Sequence, residues 1–96
     1  MRTRINKKLA KEILERVSID QMTRKRFIAG KEKWDKRIDE RNTEWLKKVV
    51  SRYGWPTIST VGKKASYGAW LLLQHADHNL KFQKRVLKTL EEIYSK

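Results

Sequence analysis

No cysteine occurs in the 96 residues, so neither a disulfide framework nor a thiolate zinc site is available, and stability has to come from packing. The longest apolar run, Ala69-Trp70-Leu71-Leu72-Leu73, falls far short of the ~20 residues needed to span a bilayer. Met1 to Val17 carries no continuous apolar stretch of the secretory kind, and Glu12 and Glu15 do not fit a transit peptide. A cytoplasmic location follows by default. Glycine-rich phosphate loops, nucleophile elbows and zinc-finger spacings are missing as well.

What is present is charge. Lys and Arg number 24 against 11 Asp and Glu, a formal net charge of +13. The excess leans toward the N-terminal part, where residues 1–37 hold thirteen basic and five acidic side chains. Such a field attracts phosphate backbones and anionic surfaces without specifying any of them. Basic residues alternating with Glu and Asp at helical spacing also fit plain solvated helix faces. The 39% hydrophobic fraction, with four Trp and two Phe, suffices for one modest core. Because the apolar residues are periodic rather than sparse, global disorder is a poor reading.

The period is helical throughout. Ile5, Leu9, Ile13 and Val17 recur every four residues with Leu14 beside them. Ile19, Met22, Phe27 and Ile28 continue the stripe to about Ala29, with Gly30 as a stop. Ser18 and Gln21 also fit a capping box, which would make 1–17 an N-terminal helical extension on an 18–96 body. Residues 31–41 are almost wholly charged around Trp34 and Ile38 and read as a connector or a short exposed helical turn. Asn42 or Thr43 then caps a helix with the stripe Leu46, Val49, Val50 and Tyr53, ended by Gly54 and Pro56. Trp55, held extended by the following proline, suits an aromatic plug over a core.

Ser59 or Thr60 caps the most apolar helix, with Ala65, Ala69, Leu72, Leu73 and Ala76 on one face and Trp70 and Leu71 on its flank. Its small residues, Gly68 among them, allow a neighbouring helix close. Asn79 caps the last helix, striped by Phe82 or Gln83, Val86, Leu87, Leu90, Ile93 and Tyr94. Nothing alternates with period two. The expected fold is all-α, a single domain over 1–96 built as a compact bundle of about four helices.

Polar chemistry concentrates at Gln74-His75-Ala76-Asp77. Three-residue spacing would put His75 and His78 on one helix face, with Asp20, Asp39 or Asp77 completing a zinc or ferrous site. The spacing is not that of a two-histidine zinc helix and no second histidine cluster exists, so no metal is assigned. An imidazole titrates near neutral pH, which suits His75 to general acid–base work beside an orienting carboxylate; hydrogen bonding that merely closes the bundle is the plainer role. Buried amides at Gln74 and Gln83 would tie helices together or read a ligand. Lys7, Lys8, Arg24, Lys25 and Arg26 are the candidate phosphate contacts, and Trp34 is the best candidate for an exposed aromatic.

From Asp20 onward the pattern resembles an uncharacterised bacterial domain-of-unknown-function family, number 6624. The residues that carry the likeness are Asp20-Gln21 with Arg24, Asp39 with Asn42, Gly54-Trp55-Pro56-Thr57, Val61-Gly62, Gln74-His75-Ala76-Asp77 and Phe82-Gln83. The resemblance implies a helical domain whose shared positions are polar: Asp20, Arg24, Asp39, Asn42, Gln74, His75, Asp77 and Gln83. A set of that kind hints at a common pocket. It implies too that family members continue into a further polar segment; if that segment completes a catalytic site, a chain stopping at Lys96 is expected to be a reduced form that only binds.

Three functions follow as expectations. The first is a small helical domain with a polar pocket for an anionic small ligand, lined by Asp20, Arg24, Asn42, Gln74 and Gln83. If it is an enzyme, His75 is the proton-transfer residue, Asp77 or Asp39 its orienting carboxylate, and Arg24 an anion clamp; the cofactor is unknown. The second is a low-specificity nucleic-acid binder acting through its basic surface. The third is a helical interaction module, a homodimer included, built on Trp34 and the first helix stripe.

Overall fold

The computed structural model describes residues 5–30, 33 and 35–94, the side chain of Tyr94 excepted. Trp34 therefore lies outside the described residues. Five helices run in the order α1 (Lys7–Ile28), α2 (Lys36–Tyr53), α3 (Ile58–Val61), α4 (Lys63–Gln74) and α5 (Leu80–Tyr94), with no strand among the described residues. The expected all-α architecture is what forms, four substantial helices plus the single turn of α3.

α1 starts where the Asn6 side chain accepts the backbone N–H of Leu9, the usual way to satisfy an orphan amide at a helix start. It runs unbroken past Ser18 and stops at Ala29, with Gly30 in the left-handed region. Leu9 and Ile13 are buried in the core, so the first helix packs within the bundle and is no appendage.

α2 begins earlier than the apolar stripe suggests. Asp35 is its N-cap, accepting from the Arg37 backbone N–H at 2.9 Å. Asn42 and Thr43, expected as caps, sit inside the helix and are buried. The reason is that Lys, Arg and Glu are good helix formers, so 36–41 needs only Ile38 and Asp39 turned inward to extend the helix. Gly54 closes α2 at φ 80, ψ −174, backbone that only glycine adopts without strain.

Likewise Ser59 and Thr60 fall within α3, and Gly62, at φ 86, separates α3 from α4. Trp55 plugs the core as its position before proline suggests, and Val61 joins it.

α4 is the central element, packed against α1, α2 and α3. Its buried face is Ala65, Ala69, Leu72 and Leu73, followed by Ala76 just beyond the helix. Gly68 is where α1 comes closest: a Cβ there would lie 3.0 Å from Val17 Cγ2 and 3.2 Å from Ile13 Cγ2. α5 is capped by Asn79, whose side chain accepts the Phe82 N–H, and it adds Phe82 and Val86 to the core. No helix among the described residues is long and apolar enough to cross a membrane.

Candidate functional site at the α1, α2 and α4 corner

Arg16, Asp20 and Arg24 follow one another at four-residue spacing and so share one face of α1, while Asp39 and Thr43 share one face of α2. Asp20 is only 1% exposed, and a carboxylate so buried requires donors and positive charge. Its Oδ2 receives Arg24 Nε at 3.2 Å and Gln21 Nε2 at 3.2 Å. Arg24 Nη2 then reaches Asp39 Oδ1 at 2.8 Å, fastening α1 to α2 with a charge-assisted bond.

His75 arrives from the C-terminal end of α4, where its backbone N–H still donates to the Leu71 carbonyl. Its Nδ1 lies 3.1 Å from Asp20 Oδ2, but the two are not aligned for a hydrogen bond, and Nδ1 has no such partner among the described residues. Asp20 Oδ1 and Thr43 Oγ1 are also buried without one. An unpaired buried polar atom costs ~1–3 kcal/mol, and native folds carry few. Here three fall on the facing elements α1, α2 and the end of α4.

Ligand atoms of Asp20, Asp39 and His75 all lie within 4.8 Å of one another. Two carboxylates and an imidazole are a donor set that divalent zinc, iron or manganese accepts. Among the described residues, Arg24 brings positive charge to this cluster and bonds both carboxylates. His78 is exposed and outside the set: α4 ends at Gln74, so helical three-residue spacing never applies to the two histidines.

The other expected residues are placed as follows. Asn42 accepts Arg16 Nη1 at 3.1 Å, beside a pocket of about 420 Å³ that Arg16, Arg41 and Trp45 also line. Arg16 stacks over the Trp45 ring at 4.5 Å. Burial lowers its pKa while nearby Glu12 raises it. Gln83 Nε2 donates to the Leu73 carbonyl at 2.9 Å and to Asp77 Oδ1 at 3.3 Å, tying α5 to the end of α4. Gln74 is exposed. Thus Asp20, Arg24, Asp39 and His75 converge, Asn42 lies one turn along α2 from Asp39, and Asp77 and Gln83 bond each other at the α4–α5 turn. The carboxylate in contact with His75 is Asp20 rather than its sequence neighbour Asp77, because the chain turns at Ala76 and carries Asp77 toward α5.

Sequence reasoning overlooked Arg16 and gave Thr43 a capping role. The available signal was the four-residue ladder of Arg16, Asp20 and Arg24 opposite that of Asp39 and Thr43.

The sequence pattern of the family of unknown function DUF6624 matches residues 8–96. The chain belongs to that family. The match begins within the first turn of α1, upstream of the Asp20 motif, so the DUF6624 fold includes the helix that supplies Leu9 and Ile13 to the core. No curated protein and no solved structure matches the chain.

Proposed function

We propose that the corner formed by Asp20, Arg24, Asp39 and His75 is a small-ligand site in which His75 exchanges a proton with the bound molecule. The observation that supports this most directly is the burial of Asp20 3.1 Å from His75 Nδ1. In the tautomer with hydrogen on Nδ1, that N–H is the one within reach of Asp20, and Nε2 is left as the acceptor. Contacts of this kind are often loose before a ligand is bound and tighten afterwards. Asp20 is then the orienting carboxylate. Arg24 binds the ligand's anionic group by exchanging Asp39 for it, one oxygen acid for another, at a guanidinium suited to either. The surplus positive charge of the chain raises the local concentration of such anions.

The test is an NMR titration of the His75 ring resonances with phosphate, acetate and adenosine monophosphate. The expected result is a saturable shift at His75 that disappears in Arg24→Gln. A response confined to the exposed lysines, with His75 unmoved by all three anions, would sink the reading.

A second reading, low-specificity nucleic-acid binding, is supported by the exposure of Lys7, Lys8, Lys25 and Arg26 along α1. Arg24, turned toward Asp20 and Asp39, contributes little to it. Filter binding of RNA across a salt series tests it: affinity should fall steeply with salt, and none at low salt discards the idea.

A further inference from the structure

The Gly-Trp-Pro segment plays no part in the His75 corner. It packs against the other end of α4, where a groove of about 550 Å³ opens, a size typical of small-molecule sites. Trp55, 6% exposed, forms part of the lining, with Trp70 and the half-exposed Ile58 and Tyr67. Ser66, also in the lining, has its hydroxyl bonded to the Pro56 carbonyl at 2.9 Å, so it offers no free donor. The charged lining residues are Lys63 and Lys64, which open α4 with no acidic residue in its first turn.

An apolar trough with two cations and, among the described residues, no carboxylate in its lining has a definite complement. We infer that it binds an anionic single-chain amphiphile: an acyl chain lying over Trp55 and Trp70, its carboxylate beside Lys63 and Lys64. Neutral apolar molecules leave the lysines unused. A second copy of the chain would bring Lys63 and Lys64 near the surface of another molecule charged +13, which like-charge repulsion opposes. The inference is independent of the His75 reading and survives its failure.

Intrinsic tryptophan fluorescence of the full chain, titrated with octanoate, decanoate and laurate below their micelle concentrations, tests it. Expected are saturable binding that tightens several-fold with each two-carbon extension, and at least ten-fold weaker binding of dodecyltrimethylammonium. The double variant Lys63→Glu/Lys64→Glu should lose laurate affinity about ten-fold. Lys7→Glu/Lys8→Glu, of equal net charge, should keep it. Any of four outcomes overturns the proposal: no saturable change, equal affinity for both head groups, equal loss in the two double variants, or sedimentation showing a dimer that Tyr67→Asp converts to monomer.

Discussion

Asp20, in the middle of α1, has its Oδ2 3.1 Å from Nδ1 of His75, the residue that ends α4. This contact joins the first long helix to the most buried one through two polar side chains, at the corner where the Asp39 carboxylate also arrives. Folding alone is better served by apolar side chains at such a place, because desolvating a carboxylate costs several kcal/mol that ion pairing rarely returns in full.

That argument predicts an asymmetry. Asp20→Leu alone leaves Arg24 short of a partner and lowers stability. The double variant Asp20→Leu/Arg24→Leu should return to within about 1 kcal/mol of the native chain or exceed it. Urea denaturation measures both. A double variant weaker by ~3 kcal/mol or more would assign the network to folding rather than to a site. Ile13→Ala, at a fully buried apolar position of the same helix, provides the scale at ~2–5 kcal/mol.

Arg24 is the cation already in place among the donor atoms of Asp20, Asp39 and His75. Removing it should therefore expose a latent metal site. Arg24→Ala is expected to gain thermal stability with added Zn²⁺, and the gain should vanish when His75→Gln is added. Equal stabilisation of the native chain would show instead that the guanidinium gives way to the ion, and a resident metal would replace the proton-exchange role of His75.

Gly68 tests the α1–α4 contact. Alanine improves helix propensity by ~1 kcal/mol. Its methyl meets Val17 and Ile13 at 3.0 and 3.2 Å, and both are β-branched and stiff. Overpacking costs ~1–3 kcal/mol, so Gly68→Ala should be a net loss near 1 kcal/mol. Adding Val17→Ala should recover part of it, a coupling that a double-mutant cycle detects.

Asp35 gives the α2 start a pH dependence. Hydrogen bonds from the Arg37 side chain, then from its backbone N–H, lower the Asp35 pKa. The stabilisation is therefore complete above the ordinary Asp range and is lost as pH falls through the depressed folded-state value. The Arg37 amide should lose protection, measured against its intrinsic exchange rate at each pH, below that range in the native chain. In Asp35→Asn, which keeps a capping oxygen without the titration, the pH effect should be absent.

The helices were legible because Leu9, Ile13, Leu46, Leu72 and Val86 fall at helical intervals, and glycine and proline mark where α2 stops. The start of α2 was not, because Lys36 to Arg41 forms helix on propensity and a cap at Asp35, with almost no apolar stripe to reveal it. At the site, the polar set could be picked out, and Asp20, Arg24, Asp39 and His75 do meet. Which carboxylate faces His75 could not be read, since it depends on the turn after α4 and on the crossing of α1. Asp77 is nearer along the chain, yet it bonds Gln83.

The guanidinium of Arg24 helps to clamp the start of α2 onto α1, and in the proposed reading it is also the group an incoming anion would take. A guest that displaces Asp39 thus unfastens that seam, and by reciprocity whatever loosens the first turns of α2 makes the guest more welcome. On that reading, entry to the site and the hold of Arg24 on Asp39 are one equilibrium, seen from two ends.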